Sequence, residues 1–133
     1  MEAWERWWNM AQESLVAAQS LERLGLVRPC ASRAYYAAYQ AATALLLYAR
    51  QVPPQDREAW SHEATPGLLR NLPNKMLNPP MQQGLEARLK RLYDLRLVAD
   101  YQGQVNITFI ELRAAVRDAA FVSRTISNIV AGE

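Results

Sequence analysis

Cysteine and histidine are almost absent from this sequence of 133 residues, which contains one of each. A single cysteine, Cys30, cannot form an internal disulfide, and one cysteine with one histidine cannot supply the ligands of a structural zinc site. We therefore expect an intracellular protein that uses no metal or other cofactor. The chain also lacks the roughly 20 consecutive apolar residues that span a bilayer, and its start lacks the order of a signal peptide. These absences predict a cytoplasmic location without membrane attachment.

Strong charge of either sign is missing as well. The formal net charge is +2, which is too small to indicate a general surface for nucleic acid or membranes. Arginine supplies nearly all of the 15 basic residues, and its planar group binds phosphates and carboxylates with paired hydrogen bonds, although a GC-rich genome produces the same bias. No phosphate-binding glycine loop, Ser/His/Asp order or catalytically spaced acidic pair is present. Function must therefore be argued from individual side chains.

Hydrophobic periodicity predicts helices at the start of the chain. Apolar residues spaced by three and four indicate a first helix over about residues 3–24, which Gly25 would end. A second helix is expected over about residues 29–50, before a Val-Pro-Pro sequence that cannot continue it. This second helix is apolar over most of its circumference, so it is either the central helix of a bundle or a subunit interface.

The remainder of the chain predicts further helices around an irregular segment. Residues 52–80 hold six of the seven prolines and allow at most a short helix. Another helix should run over about residues 80–98, and a final one begins with a capping box between Thr108 and Glu111. The expected inner stripe of this final helix is Phe109, Leu112, Val116, Ala119, Ser123, Ile126 and Val130. The sequence thus predicts one all-α domain over residues 1–133, an antiparallel up-down bundle of four long helices plus a short one.

Two apolar features favour a homodimer. One face of the second helix consists mostly of small side chains, namely Ala34, Ala37, Ala41, Ala44 and Tyr48. Three tryptophans also lie within the first ten residues. Because one small bundle has few places to bury so much apolar surface, we expect a second copy to cover part of it.

An arginine interrupts the apolar stripe of the fourth element. Leu85, Leu89 and Leu92 define that stripe, and helical spacing places Arg96 close to its centre. Asp100 follows four residues later, near enough on a helix to pair with Arg96, and Tyr101 comes next. One interpretation is a structural ion pair at a helix end. The other is a part-buried guanidinium, carboxylate and phenol that line a polar cavity able to hold a phosphate or a ribose.

Two tyrosines and the lone histidine extend this second interpretation. Tyr35 and Tyr39 lie on the inner face of the second helix, where their hydroxyls need partners that the charged pair could supply. His62 lies in a polar loop, which is typical of a solvated side chain or a helix-end cap, and its ordinary pKa of about 6.5 is the only argument for catalysis. The candidate ligand-binding residues are Arg96, Asp100, Tyr101, Arg33, Tyr35 and Tyr39. The candidate catalytic residues are Arg96, Asp100 and His62, and no metal ligands are proposed.

Three segments occur in a characteristic order: SRAYYAAYQAATALLL, HEATPGLLRNL and LYDLRLVADY. Together they resemble the HEPN domain, in particular its small stand-alone prokaryotic branch. The residues that carry the resemblance are Ser32, Arg33, Tyr35, Tyr36, Tyr39, Ala42, Leu45, Leu46, His62, Gly67, Arg96, Ala99, Asp100 and Tyr101. The resemblance implies a four- or five-helix up-down bundle, commonly dimeric, with a cleft between the second helix and the arginine-bearing helix.

The resemblance also implies a functional setting. HEPN proteins of this branch are often encoded beside a minimal nucleotidyltransferase, and some of these pairs act as toxin and antitoxin. HEPN ribonucleases use an arginine followed after four to six residues by a histidine. This sequence departs from that pattern, because Asp100 and Tyr101 follow Arg96 and no histidine occurs downstream. Asp100 is a poor substitute, since an aspartate paired with an arginine is a weaker base.

Three hypotheses follow from the sequence. The leading one is a non-catalytic HEPN protein that binds a nucleotide or RNA phosphate through Arg96 and works with a nucleotidyltransferase. The second is a metal-independent endoribonuclease toxin in which His62 is brought to the cleft and acts with Arg96. The third is a non-catalytic dimeric scaffold whose polar cluster only fixes helix packing.

Overall fold

A computed structural model describes residues 1–130 and contains five helices and no strand in that range. The helices are α1 (Ala3–Leu24), α2 (Val27–Tyr48), α3 (Thr65–Leu69), α4 (Pro79–Tyr101) and α5 (Phe109–Val130). The predicted all-α bundle of four long helices and a short one is confirmed. Residues 131–133, which the predicted domain includes, lie outside the described residues. Within the described range, no helix is both long and apolar enough to cross a membrane.

α2 is the central helix and packs against α1, α4 and α5. Its side chains are buried without interruption from Ala37 to Leu46, a stretch of nearly three turns that covers every side of the helix. Alanine at many of these positions lets three neighbouring helices approach the same backbone, since an alanine side chain occupies little space. The prediction that this helix is buried on more than one side is therefore confirmed, and the bundle supplies the burial itself.

The expectation that a second copy covers the alanine-rich face of α2 is wrong. Ala34, Ala37, Ala41 and Ala44 are all buried inside the chain. The first tryptophan, Trp4, packs edge-on against Tyr48 of α2 with ring centroids 5.2 Å apart. The alanine-rich face and the tryptophans of α1 therefore pack against the core of the same copy. The homodimer stays a prediction that rests on the family resemblance.

Local signals define the helix ends. Gly25 adopts the left-handed conformation with φ of 72°, and the Leu26 amide bonds back to the Leu21 carbonyl, which ends α1 as expected. Before α5, the Thr108 amide donates to Glu111 Oε1 at 2.9 Å and the Glu111 amide donates to Thr108 Oγ1 at 3.1 Å, so the capping box is confirmed.

The inner stripe of α5 is confirmed from Leu112 onward, but the prediction for Phe109 is wrong. Phe109 is 53% exposed, whereas the six later stripe residues are buried. It is the first residue of α5 and lies at the end of the bundle beside Gly25, beyond the reach of the core.

Arg28 fastens the end of α4 to the start of α2. Its Nη1 donates to the carbonyls of Val98 and Ala99 at 3.1 Å each and to that of Gln102 at 3.2 Å. Its Nη2 donates to two carbonyls of the following turn, those of Gly103 and Val105. The last carbonyls of a helix lack intrahelical donors, and the guanidinium supplies one to Ala99. At Val98 and Gln102 it adds to the backbone amides of Gln102 and Val105. The arrangement fixes the last turn of α4 against α2.

Replacing Arg28 with alanine should destabilise the fold by about 1–2 kcal/mol, because the α4 carbonyls lose a charged donor in a part-buried setting. The matched control is Arg23→Ala, since Arg23 is exposed and its guanidinium bonds to Ser20 in the same helix. That change should alter stability by less than about 0.5 kcal/mol. Urea unfolding of the two variants and the wild type measures both effects. Equal stability losses in the two variants would show that Arg28 has no special role.

Candidate functional site

Arg96 forms the predicted ion pair and one further bond. Its Nε lies 3.0 Å from Asp100 Oδ2, and its side chain is only 14% exposed. Its Nη2 donates to the hydroxyl of Tyr36 on α2, also at 3.0 Å. Burial disfavours the charge, but Tyr36 and Asp100 outweigh burial and raise the pKa of Arg96 above its ordinary value. The guanidinium is therefore a permanent cation held in one orientation from two sides.

The prediction that the Arg96–Asp100 pair bonds to the hydroxyls of Tyr35 and Tyr39 is wrong. Both rings are buried, but neither hydroxyl meets the Arg96–Asp100 pair. The hydroxyl of Tyr35 lies 2.6 Å from His62 Nδ1, and that of Tyr39 donates to the carbonyl of Trp60. Since consecutive helical residues point about 100° apart, it is the hydroxyl of the next residue, Tyr36, that bonds to Arg96 of α4.

His62 is not the solvated loop residue that its surroundings in the sequence predict. The imidazole is half-buried, 4.5 Å between ring centroids from Tyr39 and 5.8 Å from Tyr93, on which it stacks at 18°. Ser61 fixes the turn that carries it, because Ser61 Oγ accepts from the Ala64 amide at 3.1 Å. The turn places His62 over α2 and α4. The aromatic residues that meet here, the tyrosine–histidine cluster, are Tyr35, Tyr36, Tyr39, His62 and Tyr93.

The cluster keeps His62 neutral. Burial first, and then the positive charge of Arg96, lower the pKa of the imidazole below its ordinary value. Burial raises the pKa of Tyr35, so its hydroxyl keeps its proton. The bond between that hydroxyl and Nδ1 forms in either tautomer of the neutral imidazole: the oxygen accepts when Nδ1 carries the proton and donates when Nε2 carries it. Within residues 1–130 Nε2 has no hydrogen-bond partner, so this ring nitrogen is available to a ligand.

The last two predicted residues lie at the edge of the cluster. Arg33 places its guanidinium carbon 4.9 Å from the Tyr36 ring centroid, and Arg96 lies 5.3 Å from the same centroid, so two cations share one ring. Among the described residues Arg33 has no ion pair. Tyr101 is 71% exposed, with Arg96 5.8 Å from its ring centroid. The structure therefore brings the predicted residues Arg33, Tyr35, Asp100 and Tyr101 around Arg96 and Tyr36. The predicted residue Tyr39 lies apart from them, against His62 and Tyr35.

Two residues of the cluster were missed as site residues. Tyr36 contributes to the family resemblance but was not predicted to bind a ligand, although it follows Tyr35 directly in the sequence. Tyr93 stands three residues before Arg96 and therefore shares its helix face, which was a usable signal. Its hydroxyl donates to Glu63, the residue after His62, at 3.3 Å. Within the described residues, no group of three or more histidine, cysteine and carboxylate side chains is placed to hold a metal ion.

The site thus combines a half-buried arginine and a half-buried histidine, joined by tyrosines within an all-α bundle. The HEPN domain model matches residues 4–129. The chain therefore belongs to the HEPN domain family, and the resemblance seen in the sequence is confirmed. Comparison with curated proteins found no match.

The lowered pKa of His62 predicts a pH effect on stability. The unfolded chain holds the proton with a pKa of about 6.5 and the folded chain with a lower one, so protonation favours unfolding. The contribution of His62 is complete above about pH 6.5 and is lost as the pH falls toward the folded pKa. The free energy of unfolding of the wild type should therefore decrease relative to that of His62→Gln between about pH 7.5 and 5.5. A difference that does not change over this range would contradict the neutral imidazole.

Proposed function

We propose that this HEPN protein binds the phosphate of a nucleotide or of RNA through Arg96 and acts in the cytoplasm with a minimal nucleotidyltransferase, in a toxin–antitoxin-like pair. The observation that carries the proposal is the orientation of the Arg96 guanidinium. Asp100 and Tyr36 engage Nε and Nη2, and the remaining N–H groups of the planar fork suit a phosphate. Asp100 is then a positioning residue and not a base.

The residues around Arg96 support a phosphate ligand. Arg33, on the Tyr36 ring, adds a second positive charge without an ion pair among the described residues. Tyr101 offers an exposed ring at the same end of α4, on which a base or ribose could pack. The clamp formed by Arg28 holds this end of the helix in place. Such pre-orientation reduces the entropy cost of binding.

The partner and the oligomeric state rest on the family. HEPN domains commonly dimerise, and members of the resembling branch accompany nucleotidyltransferases. We propose a homodimer for this chain as well. Size-exclusion chromatography with light scattering, alone and with a co-expressed minimal nucleotidyltransferase, tests both associations.

Arg96→Ala should abolish binding of nucleotides and short RNA, because the oriented guanidinium is lost. A suitable control is Arg91→Ala, since Arg91 is an exposed arginine of the same helix that pairs with Asp118 at 3.2 Å. A thermal-shift screen with chelator present should show a ligand-dependent rise in melting temperature for the wild type and Arg91→Ala but not for Arg96→Ala.

Unchanged ligand and partner binding in Arg96→Ala, with only reduced stability, would refute the site. It would favour the scaffold hypothesis, in which Arg96 and Asp100 can be replaced together by apolar residues without harm to folding.

A second candidate function is metal-independent RNA cleavage, and the position of His62 favours it. The imidazole and Arg96 both contact Tyr35, with His62 bonded to its hydroxyl and the Arg96 guanidinium carbon 6.0 Å from its ring centroid. In such a reaction the proton of His62 lies on Nδ1 and is donated to the Tyr35 oxygen, so that Nε2 accepts the proton of a 2′-hydroxyl. The 2′-oxygen attacks the adjacent phosphorus, the bond from phosphorus to the 5′-oxygen breaks, and the 5′-oxygen takes a proton from water. The guanidinium would stabilise the charge that develops on the phosphate. The histidine usual for HEPN ribonucleases would here come from another segment of the chain.

Cleavage of RNA by purified protein in chelator should be lost in both His62→Gln and Arg96→Ala and kept in Arg91→Ala. Because the low pKa keeps His62 neutral, activity should decline only at pH values below the ordinary histidine range. Gel analysis of a labelled oligonucleotide across pH gives both results. Cleavage that survives both substitutions would indicate a contaminating nuclease.

A further inference from the structure

A large cavity lies beside His62. None of its lining residues belongs to α4, the helix that carries Arg96, and the proposed phosphate site does not use it. It measures about 960 Å³ and is formed between the first turns of α1 and the irregular segment 54–64. Its aromatic wall consists of Trp7, Tyr39, Trp60 and His62. Tyr39 and Trp60 are nearly closed off, whereas Trp7 and His62 are half-exposed and can be reached by a ligand.

The charges around the cavity favour a neutral ligand group. The cavity is lined by two residues with guanidiniums and three with carboxylates: Arg6, Arg57, Asp56, Glu58 and Glu63. The lining is therefore slightly negative, which does not suit a phosphate. Flat aromatic rings with polar groups at the rim suit a planar, uncharged heterocycle, which can stack on the rings and bond at its edges.

His62 connects the cavity with the phosphate site. Its ring centroid lies 5.4 Å from that of Tyr35, and the Arg96 guanidinium carbon lies 6.0 Å from the same Tyr35 ring. The imidazole and the guanidinium are therefore separated by no more than these two distances combined, a span that a single nucleotide can bridge. Tyr35 occupies Nδ1 of His62, so Nε2 is the ring nitrogen that a ligand in the cavity can use.

We propose that the cavity is a base-binding subsite, which holds the base of the nucleotide whose phosphate Arg96 binds. The base stacks against Trp7 and His62, and the ribose passes His62 toward Arg96. The inference rests on the proposed function, since Arg96 defines the phosphate position. It assigns the ligand as a nucleotide with its base unpaired, which for RNA means a single strand.

Calorimetric titration of ribose 5-phosphate and of each of the four nucleoside 5′-monophosphates tests the subsite. At least one nucleotide should bind about fivefold or more tightly than ribose 5-phosphate, since stacking of a base on an aromatic side chain contributes about that factor or more. Trp7→Leu should remove this advantage and leave the affinity for ribose 5-phosphate unchanged. Trp4→Leu is the control, because Trp4 is also half-buried on α1 and packs edge-on against a tyrosine but does not line the cavity.

Met10→Trp provides a second variant if Trp7→Leu does not fold. Met10 lines the cavity and is 40% exposed, so a larger side chain can fill the cavity without disturbing the core. This variant should also lose the nucleotide advantage. Equal affinity of the wild type for ribose 5-phosphate and all four nucleotides, or an advantage kept when the cavity is altered, would overturn the subsite. Binding of ribose 5-phosphate that persists in Arg96→Ala would instead overturn the proposed phosphate site.

Discussion

The burial of α2 on all sides is the constraint on which the rest of the structure depends. A helix rich in alanine can contact three neighbours at once, but each polar group that it carries must then find a partner inside the protein. The hydroxyls of its tyrosines at this site do so in three directions: Tyr35 toward the turn at His62, Tyr36 toward α4 and Tyr39 toward the carbonyl of Trp60. The same bonds that satisfy α2 therefore bring α4 and the irregular segment into one site.

The electrostatics of this site are those of a cation beside a neutral base. Arg96 cannot lose its proton, and its charge adds to the burial that keeps the imidazole of His62 unprotonated. Arg96 attracts the phosphate, while His62 is free to bond to a sugar or base without adding a second charge.

Features that depend on local sequence could be predicted, and features that depend on how segments meet could not. Gly25 ends α1 through its backbone conformation, and the pair Thr108–Glu111 begins α5 through bonds between residues three apart. Both roles could therefore be predicted from the sequence. The inward position of Arg96 followed from helical periodicity. The partner of Arg96 depends on the rotation of α2 about its axis relative to α4, and the position of His62 depends on the path of a proline-rich segment. No short-range sequence pattern encodes the helix rotation or the path of this segment. The bond between Tyr36 and Arg96 and the position of the half-buried imidazole were therefore found only in the structure.

The clamp at Arg28 has a consequence for how the molecule opens. One guanidinium supplies donors to the last turn of α4 and to the turn that follows, while its own backbone belongs to the first turn of α2. These distant parts of the chain cannot separate one at a time, because releasing either leaves several carbonyls without donors at once. Local unfolding here is therefore cooperative, and the end of the helix that carries Arg96 shares the stability of the central helix and not that of an ordinary frayed terminus.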